Sequence, residues 1–291
     1  MNPKNTKRTW LRNGILLGVL SLLLIFVACN MNQSPTDGQT VQSATHVLDK
    51  VKASGKLKAG YIVYPPFVIK DPNSGHLSGY FIELMDAIAK EGAFSIDYEE
   101  TNWGNMVTGL QTGKFDVVVS GIFATIPRAK EVTFTTPVLY VGISAIARKN
   151  DNRFTTVTDL AKKGLTIAVT NGEVGHEYAK KELLDAKLTV INTEDISRPM
   201  LEVVAGRADV ALGDSMTAYR FAKQHPEVRN VFANNPFFVF GTSLMVRQND
   251  PEWANFLNTS IEHMELSGVT DKLEAKYKEG SSAWISKRKP W

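Results

Sequence analysis

Four polar stretches follow runs of apolar residues in this chain, and they hold its best groups for gripping a small charged molecule. After Val63 comes Tyr64-Pro-Pro-Phe67, and after Val119 comes Ser120-Gly-Ile-Phe-Ala-Thr-Ile-Pro-Arg128. After Val169 comes Thr170-Asn-Gly-Glu-Val-Gly175, and after Leu212 comes Gly213-Asp214. Gly121 and Gly172 allow close backbone approach, and N–H groups at a helix start favour an anion. Nucleophile and metal chemistry have little support. Cys29 is the only cysteine, and His46, His76, His176, His225 and His263 are scattered with no H-x-x-x-H pair. No metal and no cofactor are expected.

The elements that must carry these stretches alternate strand and helix signals. Leu57–Val63, Ser95–Glu99 and Phe115–Val119 read as strands, the last apolar enough to be buried on both faces. Apolar residues at 81, 82, 84, 85, 88 and 89 make a helical stripe, and Asn105–Leu110 makes a short helix closed by Gly113. The rhythm restarts after residue 150. Leu165–Val169, Leu188–Ile191 and Ala208–Leu212 are strands; Gly175–Leu184, Ser197–Ala205 and Met216–Lys223 are helices. Pro251–Glu265 and Thr270–Lys278 are helical, with Gly268 between them. Two successive runs of this kind predict an α/β chain with two similar open sheets. The loops at the carboxyl ends of their strands then face each other, which is where open α/β sheets bind ligands.

The N-terminus reads as a targeting signal. Lys4, Lys7, Arg8 and Arg12 precede an apolar run from Gly14 to Ala28, too short for a span of about 20 residues. Phe26-Val-Ala-Cys29 resembles a lipobox, with Phe26 a less usual first residue. Cleavage before Cys29 would leave a lipid-bearing cysteine and place the rest of the chain outside the cytoplasm, held to a membrane surface. An uncleaved signal anchor is the alternative. Four of the 33 basic residues and none of the 30 acidic ones precede Cys29, so the rest carries a net charge of −1. That balance excludes nucleic-acid binding as the meaning of the overall basicity. The polar residues 29–46 read as a flexible tether, and Lys287-Arg-Lys289 as a solvated end.

Several segments together resemble the family 3 extracytoplasmic solute-binding proteins of ABC importers, the group typified by polar amino-acid binders. They are Gly60–Phe67, Gly79–Leu84, Trp103 with Leu110–Gly121, Thr125–Arg128 with Phe134–Pro137, and Asp159–Gly172 with Ala205–Asp214. The resemblance spans roughly residues 47–280. It implies a monomeric two-lobed clamp of the type II periplasmic-binding-protein kind, each lobe an open, mainly parallel sheet flanked by helices. Lobe 1 is expected over 47–145 and 240–291, lobe 2 over 146–239. The implied partners are a small amine-bearing solute and an ABC permease, with the membrane reached through the lipid on Cys29. In amino-acid binders of this family, arginine at the position of Arg128 holds the ligand carboxylate and an acid at the position of Asp214 holds the ammonium. Aromatics at the positions of Tyr64 and Trp103 sandwich the side chain. Tyr61, Ser120, Gly121, Phe123, Asn171, Gly172 and Glu173 complete the expected lining.

Two residues depart from the family pattern: Phe123 and Glu173 stand where members usually carry carboxylate-binding hydroxyls. An ionised Glu173 facing the cleft would repel an anionic ligand group by about 4 kcal/mol at 4 Å and an effective dielectric of 20. That is comparable to what Arg128 offers. So Glu173 points away, pairs with Arg128, or meets a ligand with no carboxylate there. Each residue also has a structural reading. Tyr61, Tyr64, Phe67 and Trp103 could pack the core, and Arg128 could pair with Glu131. Asn171 could serve only its turn. Asp214 could only cap a helix, and Glu173 could be a first-turn acid pointing at water. Two rival functions stay open. One is a sensor module working through a membrane partner. The other is a lyase resembling cyclohexadienyl dehydratase, whose acid is expected where this chain has Thr217.

Overall fold

The computed structural model describes residues 46–278 and 284–286. The expected leader, Cys29, most of the expected tether and Lys287–Lys289 lie outside the described residues. Among the described residues no helix is long and apolar enough to cross a membrane.

The strands are β1 (Lys56–Tyr61), β2 (Ile69–Lys70), β3 (Leu77–Ser78), β4 (Ser95–Glu100), β5 (Val117–Phe123), β6 (Thr133–Phe134) and β7 (Leu139–Arg148). They continue as β8 (Thr166–Thr170), β9 (Lys187–Ile191), β10 (Val210–Asp214), β11 (Val228–Asn230), β12 (Phe237–Val246) and β13 (Trp284–Ser286). The helices are α1 (Val47–Ser54), α2 (Tyr80–Glu91), α3 (Met106–Gln111), α4 (Ile126–Ala129) and α5 (Val174–Glu182). The remaining four are α6 (Arg198–Val204), α7 (Ser215–Gln224), α8 (Pro251–Leu266) and α9 (Val269–Tyr277).

The chain forms two lobes. In lobe 1 the parallel strands β4-β1-β5 lie beside antiparallel β12; in lobe 2 the parallel strands β10-β8-β9 lie beside antiparallel β7. The sheets are not separate, as the alternating pattern alone suggests. β7 and β12 pair with each other at Phe240–Val141, Gly241–Tyr140 and Thr242–Leu139, which joins both lobes into one hydrogen-bonded sheet. Each strand is 10 residues long, about 33 Å, enough to sit in both lobes. These two strands are the crossings, and the expected boundaries at 145 and 240 fall inside them. The sequence pattern marked neither as a strand.

Both lobes bury both faces of their sheets. In lobe 2, Ile167, Val169 and Leu212 enter one core while Ala168 and Ala211 enter the other. That is the period-two pattern of a strand covered on both sides. In lobe 1, Phe81, Leu84, Ile88 and Trp253 cover one face, and Met106, Leu110 and Phe115 the other. With helices on both faces, the polar loops are left at the strand ends.

Candidate functional site

The loop after β1 is a tight turn. Tyr64 N donates to Val68 O, and Val68 N donates to Tyr64 O, both at 2.9 Å. The turn sets the Tyr64 ring edge-on against Phe67 and against Trp103, with centroids 5.0 and 5.9 Å apart. Tyr64 and Trp103 therefore touch each other, and no planar group fits between them as the expected sandwich requires. They form a single wall. Trp103 Nε1 is buried without a hydrogen-bond partner, and the buried Tyr64 hydroxyl lies against Asp214. Tyr61 is directed elsewhere: its hydroxyl donates to Glu100 at 3.3 Å, and its ring packs on Tyr98.

The second stretch lies inside β5 rather than after it. Between Val118 and Ile122 this strand has three residues opposite the single Leu244 of β12, a bulge at Ser120-Gly121. Gly121 has φ +64°, and a Cβ there would stand 2.5 Å from the Phe81 ring, so no other residue fits. The Ser120 hydroxyl is committed to the backbone of Ile62. It accepts from Ile62 N at 2.6 Å and donates to Ile62 O at 3.1 Å, which locks the exit of β1 to β5. Phe123 stacks on Phe240, with centroids 5.7 Å apart. Thr125 caps the four-residue helix α4, which carries Arg128. Arg128 does not reach for Glu131. Its Nη1 donates to Phe123 O and its Nη2 to Gly172 O across the cleft, both at 3.1 Å.

In lobe 2, Gly172 turns the chain with φ +74°, and its N–H donates to His176 Nδ1 at 3.1 Å. Asn171 is exposed; its backbone N–H holds Ile191 O. Glu173 caps α5, its Oε2 accepting from Gly175 N at 2.7 Å. The residue is only 8% exposed, and its Oε1 is buried with no partner. Asp214 ends β10 and caps α7, its Oδ1 accepting from Met216 N and Thr217 N, each at 2.9 Å.

Of the three orientations open to Glu173, pointing away is overturned: the side chain is buried. It makes no hydrogen bond to Arg128, although Arg128 is close enough to favour its charged form. Burial, helped by Asp214, pushes the Glu173 carboxyl up to about 8. Burial also raises Asp214 above the usual carboxylate range and Tyr64 well above an ordinary phenol, the latter reinforced by Asp214. Burial lowers Arg128 against the pull of Glu173, but a guanidinium stays charged. Tyr64, Arg128, Glu173 and Asp214 thus form one electrostatic cluster built from both lobes.

A crevice of about 430 Å³ opens beside this cluster. Val63, Tyr64 and Pro65 line it from lobe 1, and Glu194, Ser197 and Thr217 from lobe 2. Its size suits a small solute. The sequence does not single out Glu194, although it lies three residues past β9, and marks Thr217 only as the position of the lyase acid. Two other features lie apart. A wider hollow of about 860 Å³ runs past Arg148, Asp151 and Arg153 near the start of β10. That is the amino end of the lobe 2 strands, and Arg153 there holds Asp151 and Asp209 at 2.7 Å each. His46, Asp250 and Glu252 also cluster, but Asp250 accepts from Val47 N at 2.9 Å and Arg247 stands 4.0 Å away, so they read as a clasp for α1.

The model of the family described as bacterial extracellular solute-binding proteins, family 3, matches residues 57–280. The chain is 28% identical to a probable histidine-binding protein of Neisseria gonorrhoeae, over 76% of this chain and 82% of that one. It is 23% identical to a cyclohexadienyl dehydratase of Pseudomonas aeruginosa, over 79% of this chain and 85% of the other. An ancestral arginine-binding protein bound to arginine superposes with a TM-score of 0.69 at 29% identity, covering 77% of this chain and 98% of that one.

Proposed function

The chain belongs to the bacterial extracellular solute-binding proteins of family 3, and from that premise we propose that it captures an amino acid or related amine between its lobes and delivers it to an ABC permease. The observation that carries this reading is the convergence of Asp214, Glu173, Tyr64 and Arg128, from two lobes, on one shut cleft. A solute touching both lobes binds the closed form better than the open one and so selects it. Asp214 and Glu173 suit an ammonium group, and the Tyr64–Trp103 wall suits an apolar stem. The Arg128 donors not turned to carbonyls are available to a carboxylate. Related proteins that bind histidine and arginine fit the same chemistry. We further propose that Cys29 carries a lipid, which would hold the protein at the outer face of a membrane near its permease.

The test is a thermal-shift screen of the chain against amino acids, polyamines, betaines and small dicarboxylates, with hits checked by calorimetry. A solute at 100 times its Kd adds about 2.7 kcal/mol. The reading expects at least one amine to score. A screen in which only dicarboxylates score would overturn it.

A second reading has one observation in its favour. Glu173 is pushed up to about 8, so it holds a proton at neutral pH, as the general acid of a dehydratase must. Against it, the position where such an acid is expected holds Thr217, whose N–H is bonded to Asp214. We therefore read the protein as binding without a covalent step. An absorbance rise from an aromatic product, when the chain is mixed with a cyclohexadienyl alcohol substrate, would reverse that choice.

A further inference from the structure

Three ionisable side chains meet at the cleft, and their bonding differs. Arg128 directs Nη1 and Nη2 at two carbonyls. Asp214 has Oδ1 filled by two N–H groups. Glu173 has one oxygen held by Gly175 and the other buried without a partner. Capping a helix explains only half of this side chain. A cap needs one acceptor, and shorter residues supply it better. Glutamate here leaves a second carboxylate oxygen in the protein interior, an unfavourable arrangement unless a donor meets it. The Tyr64 hydroxyl lies against Asp214 beside it, which leaves the Glu173 oxygen as the unmatched atom of the cluster.

Resting on the reading of this cleft as a site for an amine-bearing solute, we propose that Glu173 reads the solute's charge. Its free oxygen, with Tyr64 Oη, receives a cationic donor. The cleft therefore prefers a solute of net positive charge to its neutral counterpart. The charge balance supports this. Once a cation displaces the Glu173 proton, Arg128 against Glu173 and Asp214 counts −1, which the cation neutralises; while the proton stays, the cleft is neutral and a zwitterion leaves it so. The other groups near by do not alter that count: Glu177 favours the charge on Arg128 from an exposed position, and His176 has its Nδ1 engaged by Gly172. Before the solute arrives, burial keeps a proton on Glu173 at neutral pH, so a cation must displace it.

L-arginine and L-citrulline test this, since they share a shape and differ in charge at the side-chain end. Calorimetry on the full-length chain in mild detergent at pH 7 is expected to show arginine binding at least tenfold more tightly. Titrations in buffers of different ionisation enthalpy are expected to show release of close to one proton with arginine and little with citrulline. Glu173→Gln keeps an acceptor for Gly175 N. It is expected to lose at least tenfold of the preference, together with the proton release. Equal affinities in the wild-type chain, no proton release with arginine, or an unchanged preference in E173Q would each overturn the inference while leaving the solute reading intact. A wild-type chain that binds no amine of the panel overturns that reading and this inference together. The proton count is read on the wild-type chain, so the outcome does not depend on the variant folding.

Discussion

At the residue scale, the site turns on where single polar atoms find partners. Ser120 faces Ile62 and Tyr61 faces Glu100, so these two hydroxyls hold the lobe together. Among the unmatched atoms of the described residues, Glu173 Oε1 is the carboxylate oxygen that lies in the charged cluster, positioned to recognise something. The raised Glu173 carboxyl has a consequence for stability. An acid that binds its proton more tightly when folded contributes stability that is fully present below its ordinary value of 4.5. That contribution is lost as pH rises through about 8. Asp214, also raised, acts in the same sense. His176, lowered by burial, works the opposite way but only below its ordinary 6.5. The melting temperature of the ligand-free chain is therefore expected to fall between pH 6.5 and 8.5, and E173Q is expected to flatten the slope. A melting temperature that rises over this range would show that Glu173 is not protonated in the folded chain.

At the element scale, two helix starts serve structure and site at once. Asp214, the last residue of β10, and Glu173, three residues past β8, each cap the next helix and face the cleft. The capping and ligand-binding roles of Asp214 can be separated by substitution. Asp214→Ala removes the acceptor for Met216 and Thr217 and is expected to cost about 1 kcal/mol from the cap alone. Asp214→Asn keeps that acceptor and should melt close to the wild-type chain, yet it removes the charge that holds an amine. Both variants are expected to lose the ligand-induced thermal shift. An Asn variant that keeps the full shift would leave Asp214 as a cap only. The capping role was legible in the sequence from a carboxylate just before an amphipathic helix. The bulge in β5 was not. Nothing local says that Ser120-Gly121 continues a strand, because that depends on β12, more than a hundred residues away, pairing across it.

At the scale of the whole molecule, two long strands and one guanidinium set the geometry. β7 and β12 carry the chain between lobes, and Arg128 ties lobe 1 to Gly172 of lobe 2. Asn102 adds a longer contact of 3.5 Å to Glu194. A charge-assisted bond is worth about 1.5–3 kcal/mol, enough to move a closed-to-open equilibrium by roughly tenfold or more. Arg128→Ala is therefore expected to open the ligand-free chain, seen as a larger radius of gyration by small-angle X-ray scattering, with solute restoring the compact form. If solute binding is as tight in this variant as in the wild-type chain, Arg128 holds no ligand carboxylate.

The sequence by itself determined the alternation of strands and helices, the strand ends where polar groups gather, and the residue types available there. Those follow from local periodicity and from turn and cap chemistry, which nearby residues decide. Only the tertiary structure decided that β7 and β12 fuse two sheets into one, because an apolar run carries no mark of its partner. It alone set Tyr64 and Trp103 against each other, turned Ser120 toward Ile62, and buried Glu173 with one oxygen unmatched. Burial and partner choice depend on what the other lobe brings to the same point in space, and no spacing along the chain encodes that.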